Sequence, residues 1–149
     1  AVKTYLAVVT GHPPDDGREL VDQLVTEGAV SGVRRTRPAR PGDGGARHAA
    51  LTYRVLSRQG DLSLLEVRPT TGRTHQIRVQ LASRGWPIAG DERYGENRHA
   101  PWAEEAIALH ARSLELPHPT KPETVSISAP LPPEWFSRAE QLVVPGGLE

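Results

Sequence analysis

Cysteine is absent from these 149 residues, which excludes both a disulfide framework and a cysteine–zinc site. Histidine is present, but its six copies show neither the HExxH spacing nor a paired-ligand pattern, so no metal is expected. An excess of one charge is also missing. Eighteen Lys and Arg offset eighteen Asp and Glu, so no global attraction for nucleic acid follows. No apolar run approaches membrane-spanning length and no signal peptide is visible. A soluble, cytoplasmic protein without membrane contact is therefore expected. Internal repeats and low-complexity tracts are lacking, and the length suits one domain, residues 1–149, with one core.

The stretch that is rich in functional groups runs from Thr71 to Gly95, TGRTHQIRVQLASRGWPIAGDERYG. Thr74 is placed to cap a helix running to about Arg84, with Gly85 just past its end. Ile77 and Leu81 are four apart and face the core, while the small Ala82 leaves Arg78 room to lie back along the helix. Gly72, Arg73, His75 and Gln76 crowd the helix start. Two readings stand side by side here: a solvated helix start with incidental arginines, or a positive concavity for phosphate or carboxylate. Asp91, in a glycine turn, is expected to bond its own backbone.

Elsewhere the pattern is mostly strand. Tyr5–Val9, Ala50–Leu56, Leu62–Arg68, Ile107–Leu116 and Val125–Ala129 alternate or are β-prone, and Gly60–Asp61 suits a hairpin. Asp16 and Glu19 have capping-box spacing ahead of Leu20, Val21, Leu24 and Val25, which predicts a second helix ending near Gly28. Glu96–Glu105 reads as irregular, and Glu134–Leu142 as a closing amphipathic helix. Ser31–Arg47 holds Arg34, Arg35, Arg37, Arg40 and Arg47 among Pro and Gly, and reads as a loop. Its arginines either keep the loop soluble or contact an RNA backbone. The order of elements predicts an α+β fold with a largely antiparallel sheet.

TGRTHQIR, then GWPIAGDERYG, then LHARSLELPHP from Leu109, together with the Lys3–Tyr5–Ala7 spacing in KTYLAVV, resemble the RluA-type RNA pseudouridine synthases. The likeness runs from Ala1 to about Trp135. It implies a mixed, mostly antiparallel central sheet flanked by helices, and isomerisation of a uridine in RNA, ribosomal or transfer, to pseudouridine, with no cofactor and no metal. The base must leave its stack to be reached, so a flippable uridine is implied. On the matching positions Tyr5 would stack on the base and Arg78 would pair with the nucleophilic carboxylate. Leu109 would wall the base pocket. Arg73, His75 and Gln76 would bind the RNA backbone or orient Arg78, and Lys3, Arg34, Arg35 and Arg37 would meet the RNA. His110 and His118 also match, and each is expected to be a hydrogen-bonded structural histidine.

The family's nucleophilic aspartate lies in an Arg-Leu-Asp motif ahead of the Lys-x-Tyr segment, and no Arg-Leu-Asp occurs in this sequence. The chain therefore reads as the base- and RNA-binding portion of a catalytic domain, silent by itself. An unpaired sheet edge or apolar face at Ala1 is expected to promote self-association. Two alternatives stand beside this reading: a non-catalytic RNA-binding module using the same cleft, and a mononucleotide- or anion-binding domain using the Gly72 turn.

Overall fold

The computed structural model describes residues 1–28, 32–95, 107–132 and 135, and turns the strand patterns into one seven-stranded sheet. The strands are β1 (Val2–Thr10), β2 (Gly17–Gly28), β3 (Arg34–Pro38), β4 (Arg47–Gln59), β5 (Leu62–Pro69), β6 (Leu109–Pro117) and β7 (Thr124–Ser128). They lie in the order β3-β2-β4-β5-β1-β6-β7, and every neighbouring pair is antiparallel. One helix, α1 (Gln76–Ala82), lies among the described residues, where flanking helices were expected. The expected closing helix falls outside them, Trp135 apart, as does the Glu96–Glu105 segment.

Cross-strand register builds the core. Leu20 faces Leu51, Tyr53 faces Val67, and Ala7 faces Leu65, all buried on one face of the sheet. Helix α1 covers that face, adding Ile77 and Leu81 as their spacing requires, while Val79 meets Leu24 and Ala49. Each such aliphatic side chain contributes about 1.5–3 kcal/mol by leaving water. On the other face Leu6 lies opposite His110, whose ring meets Trp135 edge-on with centroids 6.0 Å apart.

Three expectations are corrected. Leu20 to Val25 belong to β2 and not to a helix: Leu20 and Leu24 point inward while Val21 is exposed. Part of the arginine-rich segment is not loop but β3, an edge strand paired with β2 from Leu24–Pro38 to Gly28–Arg34. Finally, of the two forms expected for an exposed surface at Ala1, the unpaired edge is absent among the described residues: β1 is paired on both sides, by β5 and β6, and the edge strands there are β3 and β7. The hairpin at Gly60–Asp61 is as expected, with Gly60 at φ 59° and β4 extended to Gln59. Pro87–Ala89 continues the sheet beside β1, through Thr10 N–H to Pro87 O and Ala89 N–H to Val8 O.

Candidate functional site

A bulge sets the first part of the site. Thr4 pairs with Ser113 and Tyr5 with Ala111, so Arg112 is the extra residue on β6. Bulges bend a strand and re-aim its side chains. Here Lys3 and Tyr5 come to line a cavity of about 250 Å³ with Ala111, Leu114 and Ile127. Its walls are mainly aliphatic, Tyr5 is half-buried, and Arg112 is tied back by Nη1–H to Ala129 O at 2.6 Å. Such a slot suits a flat, uncharged ring. Leu109 is not in this lining; it sits opposite Ala7 and packs on the core.

The second part is built around Tyr94. The start of α1 differs from the expected Thr74 cap: His75 occupies the N-cap position at φ 52°, ψ 25°, with no side-chain cap. A left-handed backbone at a non-glycine residue costs about 1–3 kcal/mol and needs compensation. The His75 ring supplies it, with Nδ1 2.6 Å from Tyr94 Oη and the two rings edge-on at 5.4 Å. Tyr94 Oη also accepts Thr36 N–H of β3 at 3.1 Å, which ties the turn after α1 to the sheet edge. The guanidinium groups of Arg35 and Arg78 lie 5.0 and 5.1 Å from the Tyr94 ring centre.

The Arg78 guanidinium lies by the Tyr94 ring, which packs on His75 at the start of α1. Its Nε–H donates to Asp91 Oδ2 at 2.9 Å and its Nη2–H to Asp91 Oδ1 at 2.7 Å. Asp91 does bond its own turn, since Oδ1 accepts Arg93 and Tyr94 N–H. Its pairing with Arg78 was not foreseen from the sequence. Gly95 closes this turn, because a Cβ there would run into the Pro87 ring.

Gln76, expected at the RNA or beside Arg78, is turned into the protein. It is buried, and its amide is fully spent. Oε1 accepts from Thr71 Oγ1–H and Arg73 N–H, and Nε2–H donates to Ala50 O and Gln80 Oε1. Gln80 continues the chain to Leu20 O and Asp22 Oδ2, so two glutamines four apart pin α1 to β4 and β2.

The arginines of β3 divide. Arg37 bridges Glu27 and Asp43, with its Nη2 2.7 Å from Glu27 and its Nη1 2.7 Å from Asp43, so its charge is answered within the protein. These bonds raise the guanidinium further above its ordinary range, Asp43 contributing most and then Glu27. In turn Arg37, helped by Arg40 N–H, holds the Asp43 carboxyl well below the usual carboxylate range. Arg34 instead lines an open concavity of about 500 Å³ with Arg47 and Arg73. His110 and His118 both hydrogen-bond: His110 Nε2 to Ala129 O, and His118 Nδ1 accepting Thr120 and Lys121 N–H.

The structure therefore joins Lys3 with Tyr5, His75 with Arg78 and Arg35, and Arg34 with Arg73. It leaves Leu109, Gln76 and Arg37 outside those groupings. Tyr94 and Leu114 enter them unforeseen, and Arg47, expected only as one of five arginines in a loop, joins Arg34 and Arg73.

The family model for RNA pseudouridylate synthase matches residues 1–83, more than half of the chain. The chain belongs to this family. Among curated relatives, an RNA pseudouridine synthase of Chloroflexus aurantiacus is 42% identical over 130 residues, covering 87% of this chain and 39% of its own length. Ribosomal large subunit pseudouridine synthase D of Zymomonas mobilis is 36% identical over 148 residues, covering 95% and 45%. The chain thus spans less than half the length of these relatives. Human RNA Pseudouridylate Synthase Domain Containing 4 superposes with a TM-score of 0.73 at 27% identity, covering 95% of this chain and 62% of the other. The family likeness runs to the RluA type, since pseudouridine synthases C and D of the large ribosomal subunit are among the relatives.

Proposed function

We propose that this chain supplies the base- and RNA-binding part of an enzyme that isomerises a uridine in RNA to pseudouridine. The observation that carries the reading is the bulge-formed slot at Tyr5, because it offers a half-buried aromatic ring and aliphatic walls to a flipped base. Family membership adds the reaction class, and the names of synthases C and D point to large-subunit ribosomal RNA as the substrate.

In this reading Tyr5 stacks on the uracil and Lys3 stands at the mouth of the slot. Arg78 is the cationic partner of the nucleophilic carboxylate, keeping it ionised in a cleft with little water. Asp91 already occupies the Nε/Nη2 edge of the guanidinium, so the second carboxylate approaches from outside that edge. Asp91 itself is unsuited to attack, being wholly buried with both oxygens engaged. Leu114 replaces Leu109 as the apolar wall. Arg35 and His75, through Tyr94, hold the neighbouring surface against the RNA.

The test is tritium release from RNA carrying 5-tritiated uridine. The chain alone should release none, and the chain with an upstream Arg-Leu-Asp segment in cis should release it. Release by the chain alone would overturn the division of labour. No release by either form would favour the second reading, an RNA-binding module without catalysis.

A further inference from the structure

We propose that the concavity between β3 and the Gly72–Thr74 turn binds phosphodiester groups of RNA backbone through Arg34, Arg47 and Arg73. The proposal rests on the RNA reading above and locates the contact, moving it from the arginine-rich loop to one built place. The chain has no net charge, so the argument turns on which cations are answered and which are not. Among the described residues seven arginines have carboxylate partners: Arg18, Arg37, Arg54, Arg58, Arg68, Arg78 and Arg84. Arg34, Arg35, Arg40, Arg47, Arg73 and Arg93 form no ion pair among the described residues, and of these Arg34, Arg47 and Arg73 line the same concavity. No Asp or Glu among the described residues joins them there.

The rest of the lining suits the same ligand. Thr26 and Thr74 offer hydroxyls, and a Cβ added at Gly45 or Gly72 would meet nothing within 4 Å, so the trough stays open. The volume of about 500 Å³ lies within the range of small-ligand sites, about 300–1,000 Å³. Arg73 is held in advance: its Nε–H donates to His48 O at 2.8 Å, and its backbone N–H to Gln76 Oε1 at 3.0 Å. A side chain already ordered loses less entropy on binding. Arginine's planar fork also matches phosphate oxygens in pairs. The buried Gln76 thus acts on the ligand side only through Arg73, by fixing the turn that presents it.

A phosphate ligand has two sources, an RNA backbone or a free anion such as inorganic phosphate. The probe is a labelled stem–loop RNA with uridine in its loop, titrated onto the intact chain over a range of KCl. Each of Arg34→Ala and Arg47→Ala should weaken binding and lower the slope of log K against log salt by about 0.7–0.9. Arg54→Ala, whose partner is Glu66 outside the trough, should leave the slope unchanged. An unchanged slope in Arg47→Ala overturns the site, as does an absence of RNA binding by the wild-type chain. Inorganic phosphate that displaces the RNA beyond its ionic-strength effect, with slopes unchanged in both variants, assigns the trough to a free anion and also overturns it. The isomerase reading is judged separately by tritium release. Slope losses without release in any form keep the site and sink that reading, and release with unchanged slopes does the reverse.

Discussion

Arg78 and Asp91 meet through two parallel hydrogen bonds, and the carboxylate is completely shielded from solvent while the guanidinium is 14% exposed. They lie thirteen positions apart in sequence, so the pair also staples the Trp86–Gly95 segment against α1. Removing one partner of such a pair costs about 3–5 kcal/mol, because the other charge is left buried. Arg78→Ala should lower the unfolding free energy by that amount in urea titrations. Arg78→Lys, which keeps the charge but loses the fork, should lose distinctly less. A change under about 0.5 kcal/mol in Arg78→Ala, the size expected of a surface site, would remove the pair from the fold's supports. Arg78→Lys is then the variant for chemistry. It should abolish tritium release while RNA affinity stays within a few-fold.

Tyr94 is the hub between α1 and the sheet edge. Tyr94→Phe deletes the hydroxyl that meets His75 Nδ1 and takes Thr36 N–H, while leaving the ring between Arg35 and Arg78. Thr36 is buried, and a buried donor without a partner costs about 1–3 kcal/mol. The loss should appear in the same urea titrations. His75→Gly removes the strain of φ 52° along with the ring contact, so it should cost less than His75→Ala, which keeps the strain.

Asp43 gives the β2–β3 edge a pH dependence of known sign. Arg37, then Arg40 N–H, hold its carboxyl below the ordinary aspartate range. A carboxyl depressed on folding contributes stability that is complete above its unfolded pKa, about 4, and is lost as pH falls towards the folded value. Asp43→Asn should therefore melt below wild type at pH 6–7. The two melting curves should draw together as pH drops below about 4. A gap that stays constant down to pH 3 would mean that Asp43 acts by something other than its charge.

The strands that read easily from sequence are those whose inward positions are mostly apolar. β4 and β5 carry apolar inward rows on either side of Gly60–Asp61, Ala49, Leu51 and Tyr53 in one and Leu65 and Val67 in the other, interrupted by a bulge after Val55 and by buried Ser63, and Ile77 with Leu81 marks the core face of α1. β2 was hidden by one residue. Its inward row is Leu20, Asp22, Leu24, Thr26, and Asp22 breaks the alternation because it pairs with Arg84 and accepts from Gln80. What remained visible was Leu20, Val21, Leu24 and Val25, a helical spacing. β3 was hidden because an edge strand tolerates arginine and proline, which composition alone assigns to a loop. At the site, Tyr5, Arg73 and Arg78 were legible as groups, but their partners were not. Asp91 reaches Arg78 only through the turn after α1, and Leu114 reaches the slot only because the bulge at Arg112 shifts the pairing.

That bulge separates two leucines that sequence alone cannot rank. Leu114 pairs with Lys3 and lines the slot with Tyr5 and Ile127, whereas Leu109 pairs with Ala7 and packs on the core. Truncating a wall that touches only the base should alter binding and turnover and leave the fold nearly intact. Truncating a core leucine should do the opposite, costing about 2 kcal/mol, the low end for Leu→Ala because Leu109 is half-buried. In the form of the protein that releases tritium, Leu114→Ala should lower kcat/KM at least tenfold while urea stability changes by less than about 1 kcal/mol, as expected at a partly exposed position. Leu109→Ala should lose stability, with kcat/KM close to wild type at temperatures where it remains folded. If the two variants exchange these effects, the wall of the base slot is Leu109 after all, and the pairing shift at Arg112 does not shape the site.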